Sequence, residues 1–108
     1  MSQSMVRYVL LMNLTERGAQ EAQNIGTFAD NLNRQAGELG GAVLTCYLTM
    51  GMHDLVATVE LPGDDAAAEL ALTIAVDGTF TTTTMTALSV PDETQDISAR
   101  IGPRGWHV

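Results

Sequence analysis

The sequence predicts an α+β fold with the element order β-α-β-β-α-β and one antiparallel sheet of four strands. Three observations support this prediction. Four stretches are rich in strand-forming residues, two repeat apolar residues at helical spacing, and glycine or proline marks four of the five connections. A chain of 108 residues is long enough for one small domain and too short for two. We therefore expect one domain over residues 1–90 and a polar C-terminal tail over residues 91–108.

The first strand is predicted over Val6–Leu14, where both faces are largely apolar, as is typical of a central strand covered on both sides. Thr15 is a suitable N-cap for the helix that follows. The apolar residues of this helix recur at helical spacing: Ile25, Phe28, Ala29, Leu32, Ala36 and Leu39. Glycines weaken its first half, so we expect a kink or break between Asn24 and Thr27.

The second and third strands are predicted over Ala42–Met50 and His53–Leu61. The two residues Gly51-Met52 between them are short enough for a tight hairpin turn. Pro62-Gly63 then ends the third strand, because proline cannot donate a hydrogen bond to a neighbouring strand.

The last two elements are a second helix and a fourth strand. Asp64 is expected to cap the helix, which covers Asp65–Val76 and closes at Asp77-Gly78. The fourth strand lies within Thr79–Val90, where five threonines between residues 81 and 86 favour β structure through their branched Cβ atoms.

Two right-handed crossovers around this sheet give the ferredoxin-like arrangement, with strand order 4-1-3-2 and both helices on one face. The opposite face is expected to carry Arg7, Val9, Leu11, Val56 and Thr58, with Arg7 beside Glu60 on the neighbouring strand. Such a face is too apolar to remain in contact with water, and the sheet of another subunit is its simplest cover. We therefore expect a homodimer or a higher homo-oligomer.

The charge balance excludes two classes of partner. The chain has 13 acidic residues, five arginines and no lysine, which gives a net charge of −8. Nucleic-acid binding needs a basic stripe and anionic membranes attract basic segments, so we expect neither partner. The N-terminus lacks the features of a signal peptide, and one cysteine cannot form an internal disulfide, so we expect a cytoplasmic protein.

Three stretches resemble the GYD-domain family, a group of small bacterial and archaeal proteins of largely unassigned function. They are residues 8–18 (YVLLMNLTERG), residues 40–65 (GGAVLTCYLTMGMHDLVATVELPGDD) and residues 68–88 (AELALTIAVDGTFTTTTMTAL). The motif that names the family corresponds here to Gly51-Met52-His53-Asp54, with histidine at the tyrosine position. The resemblance implies a ferredoxin-like fold of the dimeric α/β-barrel type, and it implies no established reaction.

The candidate ligand-binding residues are His53, Asp54, Tyr47 and Asn13, which are the polar groups expected near one end of the sheet. His53 and Asp54 are neighbours on a predicted strand, so their side chains should point to opposite faces and not form a dyad with each other. Two interpretations stay open. Either Asp54 receives backbone N–H groups at the hairpin and His53 is a half-buried strand start, or one of them lines a pocket.

The sequence gives no indication of a metal ion or a bound cofactor. Its histidines, cysteine and acids show no paired ligand spacing, and no glycine-rich loop has the lysine and helix of a phosphate site. Cys46 lies among apolar strand residues, where a buried, unreactive thiol is the expected state. We therefore expect neither a metal nor a cofactor.

Two functions from different classes follow from these features. The first is a small-molecule-binding or assembly module that holds a small, mostly apolar ligand. The alternative is a cofactor-free small enzyme of the isomerase or oxygenase type with a pocket near His53, an idea that depends on fold analogy alone. We favour the first, because the sequence offers no second catalytic partner for His53.

Overall fold

The computed structural model describes residues 4–90, so the predicted tail over residues 91–108 lies outside the described residues. Within the described part, the elements follow in this order: β1 (Val6–Leu14), α1 (Glu16–Gln20), a 3₁₀ turn (Ala22–Asn24), α2 (Ile25–Glu38), β2 (Ala42–Leu48), β3 (Leu55–Leu61), α3 (Asp64–Asp77) and β4 (Phe80–Ala87). This confirms the predicted α+β class.

The four strands form one antiparallel sheet with the order β2-β3-β1-β4, which is the predicted order read from the other edge. The predicted register is also confirmed, because Arg7 lies opposite Glu60 and their side chains form an ion pair at 3.5 Å. The pair is largely exposed, so it contributes about 1 kcal/mol or less to stability. The pair shows that Arg7 and Glu60 lie on the same face of the sheet, and the register then assigns the other residues of β1 and β3 to their faces.

The predicted break in the first helix is present, slightly earlier than expected. α1 ends at Gln20, and the 3₁₀ turn separates it from α2. Thr15 caps α1 as predicted, since its side chain accepts a hydrogen bond from the Gly18 amide at 3.0 Å. A Cβ atom at Gly18 would overlap the carbonyl oxygen of Thr79, so glycine allows α1 to lie directly against the start of β4.

The connection between β2 and β3 is longer than the predicted two-residue turn. β2 ends at Leu48 and β3 begins at Leu55, so six residues separate them. The chain closes this loop with two hydrogen bonds, from the Thr49 amide to the Asp54 carbonyl at 3.0 Å and from the Thr49 hydroxyl to the His53 carbonyl at 2.6 Å. The predicted strand start at His53 is therefore wrong: His53 belongs to the loop.

The core lies between one face of the sheet and the helices. Its buried residues alternate along β1 and β3 and meet one stripe of each long helix: Tyr8, Leu10, Met12, Leu32, Ala36, Leu55, Ala57, Val59, Leu61, Ala67, Leu70, Ile74 and Phe80. The other sheet face holds none of them. None of the described helices is long and apolar enough to cross a membrane.

The prediction that Asp64 caps the second helix is wrong. The N-cap of α3 is Gly63, which makes no side-chain cap hydrogen bond, and Asp64 is the first helical residue. A carboxylate oxygen of Asp64 instead accepts a hydrogen bond from the Tyr8 hydroxyl at 2.7 Å.

Tyr8 is only 2% exposed, and its hydroxyl needs a partner. Burial, followed by the hydrogen bond to Asp64 and the charge of that carboxylate, raises the pKa of Tyr8 to about 12.

This shift predicts a loss of stability in alkali. Between pH 10 and about 12, unfolded chains lose the Tyr8 proton while folded chains keep it, so the free energy of unfolding should fall as the pH rises. Urea unfolding of Tyr8→Phe across this range should show a smaller fall than the wild type. Tyr47→Phe is the matched control, because Tyr47 is 60% exposed, and it should keep the wild-type fall. Equal pH profiles for all three proteins would contradict the assignment.

Candidate ligand-binding site

The loop between β2 and β3 lies against the end of β1 through Asp54. One carboxylate oxygen of Asp54 accepts a hydrogen bond from the Leu14 amide at 2.8 Å, and the Asp54 amide donates to the Met12 carbonyl at 2.9 Å. Asp54 thus takes up backbone groups where β1 leaves the sheet. This contact fits the structural interpretation of Asp54, and a role for it in ligand binding remains a prediction.

His53 and Asn13 are the two candidate residues that the structure brings into direct contact. Nδ1 of His53 lies 2.9 Å from the carboxamide oxygen of Asn13, whose nitrogen donates to the Met52 carbonyl at 3.0 Å. Because that nitrogen already donates to Met52, the Asn13 oxygen is the atom that accepts from His53 Nδ1. In a neutral imidazole with this hydrogen bond, Nε2 carries the lone pair that can accept a hydrogen bond.

Tyr47 occupies a different position on the same side of the sheet as Asn13. On β2 it pairs with Val56 of β3, which in turn pairs with Leu11 of β1, so these residues form one row across the sheet. Asn13 follows Leu11 by two residues on β1 and therefore shares its face. We call the face that carries this row the open face.

The structure has a cavity that the sequence analysis did not predict. A cavity of about 150 Å³ lies beside the end of β1, on the helix-covered side of the sheet. Its lining comes from the end of β1, from α1 and α2, and from the turn between α3 and β4: Leu14, Gly18, Glu21, Ala22, Asn24, Ile25, Thr27, Phe28, Asn31, Asp77, Thr79 and Phe80. None of the four candidate residues lines it. The expected helix break was the one sequence signal for this cavity, because the 3₁₀ turn at the break contributes Ala22 and Asn24 to the lining.

The structure also describes the potential metal ligands and the single cysteine. Among residues 4–90, no three histidine, cysteine or acidic side chains are grouped so that they could hold a metal ion. Cys46 is half-buried on β2, and burial raises the pKa of its thiol, which keeps the thiol protonated.

A comparison with protein families identifies the family of this chain. The sequence model of the GYD domain matches residues 8–97, which is most of the chain. The chain therefore belongs to the GYD-domain family, as its sequence resemblance indicated. A search of curated proteins found no match.

The contact of Asp54 with β1 predicts that this residue matters for stability. Asp54→Ala leaves the Leu14 amide without its partner, and we expect it to lower the free energy of unfolding by about 1–3 kcal/mol. Urea denaturation measures this loss. Asp30→Ala, which removes an exposed carboxylate in the middle of α2, is the control. Equal stability of the two variants would show that the Asp54 hydrogen bond contributes nothing.

Proposed function

We propose that this protein is a homo-oligomeric binding module in which a second copy covers the open face and a small, mostly apolar ligand lies near His53. The observation that carries the proposal is the open face itself. Its central residues Val9, Leu11 and Val56 are only half-buried in one chain, and the helices lie on the other side of the sheet. At about 25 cal/mol per Å² of apolar area, covering such a face stabilises a small domain considerably.

The charge distribution supports a second copy as the cover. Arg7 and Glu60 lie on this face near one end of the sheet and pair with each other. The rows nearer the other end carry Val9, Leu11, Val56, Thr58, Thr81, Thr83 and Met85, all of them uncharged. Two copies can therefore approach face to face without bringing like charges of these rows into contact, although the whole chain has a net charge of −8. A two-fold axis would place the same residues on both sides of the contact.

The proposal predicts an oligomer that a single charged substitution on the open face disrupts. Light scattering at micromolar concentration should give at least twice the chain mass of 11.5 kDa. Leu11→Glu places a carboxylate in the middle of the open face and should shift the protein towards the monomer.

Leu72→Glu is the matched control, since Leu72 is 66% exposed on α3, and it should keep the wild-type mass. A wild-type mass of 11.5 kDa would contradict the assembly. An oligomer that Leu11→Glu leaves intact would place the interface elsewhere.

The contacts of His53 favour binding over acid–base catalysis. A catalytic site is recognised by polar groups that converge on a titratable residue, as a second titratable group beside the imidazole would. The hydrogen-bond partner of His53 is the carboxamide of Asn13, which does not titrate, and the carboxylate of Asp54 accepts from the Leu14 amide. His53 Nε2 and the Tyr47 hydroxyl are then polar contacts for a ligand whose body lies on apolar residues of the open face. The composition further supports our proposal of a cytoplasmic location without nucleic-acid or membrane partners.

Phenol is a suitable probe of this site, because its hydroxyl can donate to His53 Nε2 while its ring lies on apolar residues. Titration followed by NMR should shift the His53 imidazole signals with phenol more than with toluene. His53→Ala should abolish the preference for phenol and keep the wild-type thermal midpoint, because the side chain is only part-buried. A large loss of thermal stability, or phenol shifts that leave His53 unmoved, would assign His53 a structural role only.

A further inference from the structure

We propose that the 150 Å³ cavity binds a small organic amine with an apolar body the size of one aromatic ring. We call it the helix-side cavity, because it lies on the sheet face that the helices cover. It shares no lining residue with the site proposed at His53. This second binding site therefore does not depend on the open face or on assembly.

The floor of the helix-side cavity is apolar and contains two aromatic rings. Phe28 of α2 and Phe80 of β4 lie with their ring centroids 4.1 Å apart, and Leu14 and Ile25 complete the floor. An apolar cavity of about this volume is large enough for a benzene ring. The volume of the cavity and its apolar floor therefore suit a ligand whose body is a single aromatic ring.

The rim of the cavity is polar and carries negative charge. Two carboxylates, Glu21 and Asp77, and two carboxamides, Asn24 and Asn31, belong to the lining, and all four residues are exposed. No cationic side chain is part of the lining. A ligand with a positive charge at one end matches this arrangement, whereas a carboxylate or phosphate would be repelled.

The nearest cation does not cancel this charge. Arg17 donates a hydrogen bond to the backbone carbonyl of Asp77 at 3.1 Å, and its Nε lies 3.8 Å from the Glu21 carboxylate. One guanidinium beside two carboxylates leaves a net negative charge at the rim. The Arg17–Glu21 pair is exposed and weak, so an amine can share Glu21 with it at little cost.

Asp77 has an unfavourable position that a bound cation would improve. It is the last residue of α3, a helix without a basic residue in its last turn, so its carboxylate lies at the negative end of the helix dipole. The first turn of α2 also contributes to the lining of the cavity, and the helix dipole gives this N-terminal turn a partial positive charge. Its effect of about half a charge is smaller than that of two carboxylates.

An organic amine fits this rim better than a metal ion does. Metal ions need several hard or basic ligands at short distance, and the part of the chain described here has no group of three such side chains. An ammonium group needs only one or two carboxylates and carboxamide oxygens as acceptors.

Benzylamine tests the proposal, with benzyl alcohol and benzoate as neutral and anionic analogues of the same ring. NMR titration at low ionic strength should shift the ring signals of Phe28 and Phe80 with benzylamine, at a Kd of about 1 mM for a ligand this small. Benzyl alcohol should bind more weakly, and benzoate should not shift these signals.

Two isosteric substitutions test whether the carboxylates at the rim bind the ammonium group of the ligand. Asp77→Asn and Glu21→Gln should each weaken benzylamine binding about threefold, and the double variant about tenfold, because each removes one exposed ion pair. Asp30→Asn removes a charge from α2 outside the lining and should bind like the wild type. Each variant's thermal midpoint shows that it is folded. The proposal is overturned if benzylamine does not shift Phe28 and Phe80, if the three analogues bind equally, or if the double variant binds like the wild type.

Discussion

The rest of the structure depends on how the end of β1 is held. β1 lies in the middle of the sheet, and at its end two elements distant in sequence meet it from opposite sides. Asp54 accepts from the Leu14 amide, and the Thr79 carbonyl accepts from the Thr15 amide at 3.0 Å. These hydrogen bonds fix the β2–β3 loop on one side and α1 with the start of β4 on the other. Both proposed sites lie beside this end.

The two proposed sites lie on opposite faces of the sheet. The helices cover the centre of one face, where the core lies, and the helix-side cavity has residues of α1, the 3₁₀ turn, α2 and Phe80 in its lining. The open face has no such cover in a single chain, and it presents His53, Asn13 and Tyr47 along with an uncharged apolar row. Assembly and ligand binding on this face would therefore be linked, while the helix-side cavity would act independently.

Local patterns in the sequence predicted the elements, the sheet order and the Arg7–Glu60 register, because alternation and helical spacing depend on near neighbours and on a few topological rules. They did not predict the partner of Asp64, since Tyr8 lies 56 residues away and any acceptor near its hydroxyl would have satisfied it. The position of His53 in the loop was missed because the hydrogen bonds from Thr49 to the Asp54 and His53 carbonyls close a six-residue loop in place of a tight two-residue turn. Which side chains line a cavity depends on such distant contacts.

The central claim is that two copies meet through their open faces, and intermolecular NOEs test it most directly. One sample would mix chains labelled with ¹³C at valine and leucine methyl groups with unlabelled chains. The account predicts filtered NOEs between copies from the methyl groups of Val9, Leu11 and Val56, and none from Leu72 on α3. Intermolecular NOEs that come from Leu72 and are missing from the open face would contradict it.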